Sequence, residues 1–234
     1  MSKQDCKLIL ALDMPDSDSA LKLLEKLRGT LEWVKIGMQI YYKNGGDFVK
    51  RVDEMGFKIF LDLKLYDIPN TVASAVKSLS NLPIGMLTLH AEGGSEMMRA
   101  ARDAARESAP GLQLLAVTVL TSFNAEGLLE TGISLSPKQQ VENLACLAAK
   151  NGINGIVCSP LEIEALRNIL PQDTILVTPG IRPLGASSDE QKRIMTPVLA
   201  AKTGSNYIVV GRPILKAENP VQATKSIIDE LRGA

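Results

Sequence analysis

A chain of 234 residues with 45% hydrophobic and only 4% aromatic content is long enough to bury a full core, and it suits a soluble α/β protein packed on aliphatic side chains. Its 26 Lys and Arg balance 26 Asp and Glu with no basic block, which speaks against a nucleic-acid or membrane-surface partner. Cys6, Cys146 and Cys158 lie far apart with no CxxC pair, arguing against a disulfide framework or a zinc site and for a reducing, cytoplasmic setting. The apolar run at residues 7–12 is too short for a signal peptide, and no stretch approaches the about 18 apolar residues of a membrane span, so neither is expected.

In chain order, an aliphatic run at 7–12 closes on Asp13 and precedes a helix-period segment at 20–27. The same unit recurs: residues 33–36 with Lys35, then a helix through 48–55; residues 57–63, then a helix over 69–79, with Pro69 suited to its first turn. Strands at 84–89, 112–120 and 153–158 precede helices at 96–107, 137–151 and 161–169. A strand at 174–177 leads to Pro179-Gly180, with its helix somewhere in 191–203, and a last strand at 207–210 precedes a helix at 221–231. Strands apolar at successive positions, each followed by a helix, indicate a parallel sheet buried on both faces. Eight such units favour a single-domain (β/α)₈ barrel, and the first strand–helix junction lacks the GxGxxG of a dinucleotide fold. The Gly/Ser-rich stretch 180–188 lies between a strand and a helix and suits a lid over a site better than a linker.

Barrel sites form at the C-terminal ends of strands. There stand Asp13 after strand one, Lys35 in strand two, Asp62 and Lys64 closing strand three, Thr118 and Thr121 after strand five, Gly180-Ile181-Arg182 after strand seven and Gly211-Arg212 after strand eight. In strand three the period of two sets Asp62 and Lys64 on one face and Leu61, Leu63 and Leu65 on the other. These charges are either a solvated strand end or a site at the barrel mouth whose opposite charges keep each other ionised. Backbone amides at Gly211 and the fork of Arg212 suit a phosphate dianion, so a phosphorylated substrate is expected.

The runs LALD, VKIG, DLKLYDIPNT, VTVLTS, TPGIRP with QKR, and VVGRPI, in this order along the whole chain, resemble the orotidine 5′-phosphate decarboxylases, and most the shorter bacterial branch. The resemblance implies cofactor-free, metal-free decarboxylation of orotidine 5′-monophosphate to uridine 5′-monophosphate in pyrimidine synthesis, by a homodimer that shares its sites. It implies that Lys35, Asp62, Lys64 and Asp67 form an alternating charged network, with Asp67 reaching into the partner's site and Lys64 protonating C6 of the product carbanion. Asp13 and Lys35 would hold the ribose, Thr71 the ribose of the neighbouring site, and Thr121 the pyrimidine. Gln191, Gly211 and Arg212 would bind phosphate, and Arg182 would help order the lid.

Two other functions compete. A magnesium-dependent sugar-phosphate decarboxylase or aldolase of the same superfamily shares DxKxxD, but by resemblance carries an acidic metal ligand in strand two, where this chain has Lys35. A non-catalytic barrel would leave the opposed charges as an uncompensated cost. His90, the one histidine, is expected to be a packing residue, Cys158 a buried structural thiol, Tyr41 and Tyr42 packing residues, and Glu92, Glu96 and Arg99 a solvated face.

Overall fold

The computed structural model describes residues 6–183 and 195–233. Eight parallel strands, β1 (Lys7–Ala11), β2 (Trp33–Gly37), β3 (Lys58–Leu65), β4 (Met86–His90), β5 (Gln113–Val117), β6 (Gly155–Val157), β7 (Ile175–Thr178) and β8 (Tyr207–Val210), close into a barrel in chain order. β8 pairs back onto β1 from Lys7↔Tyr207 to Leu10↔Val210. The surrounding helices are α1 (Ser17–Leu27), α2 (Met38–Glu54), α3 (Pro69–Leu79), α4 (Gly94–Ser108), α5 (Ala125–Glu130), α6 (Pro137–Lys150), α7 (Ile163–Ile169), α8 (Pro197–Thr203), α9 (Arg212–Leu215) and α10 (Pro220–Arg232).

Local signals set these bounds. Asp16 caps α1 by accepting from the Ser19 amide at 2.7 Å, Ser136 and Gln139 form a reciprocal capping box on α6, and proline opens α3, α6, α8 and α10. Strand alternation then divides the core in two. Outward residues such as Leu10, Ile36, Leu61, Leu89 and Ile208 pack beneath the helices, with Leu63 and Leu65 among them as the period of two predicts. Inward residues Ile9, Ala11, Trp33, Phe60, Met86, Leu115, Val177 and Val209 fill the barrel. Trp33 plugs the N-terminal end, edge-on to Tyr207 at 5.7 Å between centroids. A Cβ at Gly85 would stand 2.8 Å from its ring, so a side chain there would displace the plug.

Several elements differ from expectation. β5 stops at Val117, and just past it the Thr118 hydroxyl donates to the Val157 carbonyl at 3.2 Å. α2 begins at Met38, immediately after β2, and is bent at Gly45 (φ 64°); Met38 and Tyr42 are exposed, which blurs the apolar period of its first turns. Tyr41 packs on the core as expected, whereas Tyr42 does not. α5 and α9 are too short to show a helical period. No helix of the described residues is long and apolar enough to cross a membrane.

Candidate active site

At the C-terminal end of the strands a cavity of about 330 Å³ opens directly above the apolar barrel interior. Asp13, Lys35, Asp62, Lys64, Thr121, Arg182, Gly211 and Arg212 all line it, together with Gly180, Cys158 and Ser159. Eight of the residues singled out in the sequence, drawn from six of the strand ends, thus converge on one space. The two arginines and two glycines stand on the β7–β8 side, and the carboxylates and lysines on the β1–β3 side.

The charged side chains form a continuous row. Lys35 Nζ donates to Asp13 Oδ1 at 3.0 Å and lies 3.4 Å from Asp62 Oδ2, while Lys64 Nζ donates to Asp62 Oδ1 at 2.8 Å. Burial alone would drive Lys35 toward its neutral form, but the attraction of Asp62 and Asp13 outweighs it and the ammonium's pKa lies above the ordinary lysine value. Burial would likewise favour a neutral Asp62. Lys35, Lys64 and hydrogen bonds from Lys64 and Thr88 overcome that and hold its carboxyl below the usual range. Lys35 and Asp62 therefore stay ionised through the neutral range, and Lys64, paired with Asp62 at 2.8 Å, lines the cavity.

Asp62 and Lys64 meet by a route that simple alternation does not foresee. Pairing of β3 with β4 jumps from Leu61↔Leu87 to Leu65↔Leu89, so β3 carries two extra residues opposite Thr88. Lys64 sits in this bulge with φ 52°, the one positive-φ residue other than glycine among the described residues. Such a conformation costs about 1–2 kcal/mol for a side chain with a Cβ, and strain of this kind concentrates at functional sites. Thr88, fully buried, accepts from the Lys64 amide at 2.8 Å and donates to Asp62 Oδ1 at 2.9 Å. Gly37 is equally local in its effect: a Cβ there would lie 3.1 Å from Lys35 Nζ and 3.2 Å from Asp13 Oδ1, crowding their ion pair. Neither Thr88 nor Gly37 was singled out in the sequence. Alternation along Met86, Thr88 and His90 from the inward Met86 would have pointed to Thr88.

Asp67 and Thr71 are exposed and outside the cavity lining; Asp67 Oδ1 accepts from the Ile68 amide at 2.7 Å. Gln191, and most of the stretch read as a lid, lie outside the described residues. Arg182 is buried, its Nη1 donating to the Ile181 carbonyl at 2.9 Å, and its backbone is tied by a bridge between Ile181 and Met195 in which the Arg182 amide donates to the Met195 carbonyl at 3.0 Å. His90 stands beside Tyr66, ring centroids 5.7 Å apart, and does not line the cavity. Burial and the Lys64 charge push its pKa down, so at neutral pH it is an uncharged packing imidazole. The Cys158 thiol, pushed up to about 12 by burial, is no nucleophile. Glu92, Glu96 and Arg99 are exposed.

A closed barrel whose cavity holds a row of alternating cations and carboxylates, facing two arginines, defines a (β/α)₈ enzyme for a small anionic ligand. Residues 6–227 match the model of the orotidine 5′-phosphate decarboxylase / HUMPS family, and the chain belongs to that family. It is 53% identical over 227 residues to an orotidine 5′-phosphate decarboxylase of Opitutus terrae, covering 97% of this chain and 99% of the relative. Its identity to the Gluconobacter oxydans protein of the same name is 47%, covering 97% and 98%. Among solved structures, orotidine 5′-phosphate decarboxylase from Lactobacillus acidophilus superposes with a TM-score of 0.87 at 40% identity, covering 97% of this chain and 99% of that one.

Proposed function

We propose that this protein decarboxylates orotidine 5′-monophosphate to uridine 5′-monophosphate and CO₂, in the cytoplasm and as a homodimer. The observation that carries the proposal is the Asp13–Lys35–Asp62–Lys64 row, which holds one ammonium rigidly at the cavity wall. Loss of CO₂ from C6 leaves an electron pair in the ring plane, poorly conjugated with the carbonyls, so the barrier falls only if that carbanion is stabilised electrostatically. Lys64 supplies the positive charge and then gives its proton to C6, while Asp62 fixes its position. Asp13 and Lys35 take the ribose hydroxyls, Thr121 the pyrimidine, and Gly211, Arg212 and Gln191 the phosphate, with Arg182 ordering the mouth. Binding energy from the distant phosphate is available to align C6 with Lys64.

Asp67 and Thr71 complete the site of the partner subunit. They lie outside their own cavity, and the loop carrying Asp67 also exposes Tyr66 and Ile68 (59% and 67%), apolar surface that an interface would cover.

The direct test is purified protein with orotidine 5′-monophosphate, followed as loss of orotate absorbance, with and without exhaustive chelation. Turnover that chelation leaves unchanged is expected, because the Lys35 ammonium already occupies the space between Asp13 and Asp62 where a divalent cation would need those carboxylates. Activity seen only with added Mg²⁺ would support the sugar-phosphate alternative.

Arg212→Ala should weaken uridine 5′-monophosphate by about 10- to 100-fold, the loss of a charge-assisted hydrogen bond, and leave binding of uridine unchanged. Equal losses on both, measured calorimetrically, would move the phosphate site elsewhere.

A further inference from the structure

We infer that Thr88 is a positioning residue of this site, its hydroxyl setting both the backbone bend that carries Lys64 and the orientation of the Asp62 carboxylate. The inference rests on the decarboxylase reading for what Lys64 does, but on geometry alone for what Thr88 does.

A hydroxyl has one hydrogen to donate. Thr88 Oγ1 receives the Lys64 amide at 2.8 Å, so its own hydrogen is free to go to Asp62 Oδ1, 2.9 Å away. The bonds are complementary. The first satisfies an amide in the stretch of β3 where the ladder with β4 is interrupted, and so stabilises the positive φ of Lys64. The second is stronger to an ionised carboxylate than to a neutral acid, so it favours the charged form of Asp62, and it holds that oxygen where Lys64 Nζ also reaches it. Asp62 is then gripped from three sides: Lys35 from β2, Lys64 on its own strand and Thr88 from β4, with Asp13 behind Lys35 and uncharged His90 further along β4. Thr88 does not line the cavity, so whatever it contributes passes through Asp62 and Lys64.

The experiment compares Thr88→Val, which keeps the shape and removes the hydroxyl, with Thr88→Ser, which keeps the hydroxyl; Thr88→Ala replaces the valine variant should that not fold. Removing the hydroxyl should lower kcat by about 10- to 100-fold, the loss of a hydrogen bond to a charged group, with KM little changed and the serine variant within a few-fold of wild type. Without the Thr88 donor the charged form of Asp62 is less favoured and its pKa rises, so the acid limb of the kcat/KM profile moves to higher pH. A residue that only packs would lower the melting temperature and leave that limb in place. Titration of the Asp62 carboxylate by ¹³C NMR, with Asp62→Asn to assign the signal, reads the same displacement without turnover. If wild type does not decarboxylate the nucleotide, the proposed reaction fails while this titration still decides on Thr88. Wild-type kcat in Thr88→Val, or an Asp62 titration that does not move, overturns the inference.

Discussion

Lys64→Ala is expected to lose at least about 10³-fold in kcat, because one substitution removes both the charge that stabilises the carbanion and the acid that quenches it. Melting should scarcely change. Asp62 keeps Lys35 at 3.4 Å and the Thr88 hydroxyl at 2.9 Å, so no buried carboxylate is left without compensation. Single-turnover kinetics and a thermal melt on the same preparation check both halves. A variant that keeps a substantial fraction of wild-type kcat would show that the ammonium is not the proton donor.

The second large effect is expected from a mixture of two inactive proteins. If Asp67 serves the partner's site, Lys64→Ala and Asp67→Ala unfolded together and refolded form mixed dimers in which one site receives both lesions and the other neither. Random pairing should then restore about a quarter of wild-type activity, provided each dimer has two independent sites. Exposure of Asp67 outside its own cavity favours this outcome. A mixture as inactive as its components, with mixed dimers demonstrated by mass spectrometry, would return Asp67 to its own chain.

The barrel was legible because eight apolar runs alternate with amphipathic segments, and a parallel sheet covered by helices is what such a pattern can bury. The strand-end charges were legible for a related reason: Lys35 and Asp62 interrupt runs of otherwise buried residues, and a buried charge needs a partner. The bulge was not legible. A period of two places Asp62 beside Lys64 by simple alternation, whereas the protein brings them together through a left-handed residue and an irregular register. Thr88 was overlooked because a threonine in MLTLH reads as an ordinary β-branched strand residue; alternation can set it on the inward face, but its role opposite the bulge depends on the pairing with β3. Gly37 was hidden for the same kind of reason, since the ion pair it makes room for joins strand ends far apart in the chain. The partner-site roles of Asp67 and Thr71 came from family resemblance alone; in the structure both residues are exposed and lie outside their own cavity.

The most direct measurement follows C6 itself. If the site stabilises a C6 carbanion and Lys64 carries its proton, microscopic reversibility requires it also to remove that proton from the product. Uridine 5′-monophosphate incubated with wild-type protein in D₂O should therefore lose its C6–H signal in the proton NMR spectrum, and Lys64→Ala should leave the signal intact. Exchange that persists in Lys64→Ala, or that is absent from wild-type protein which decarboxylates the nucleotide, would contradict the assignment of the carbanion and its proton to Lys64.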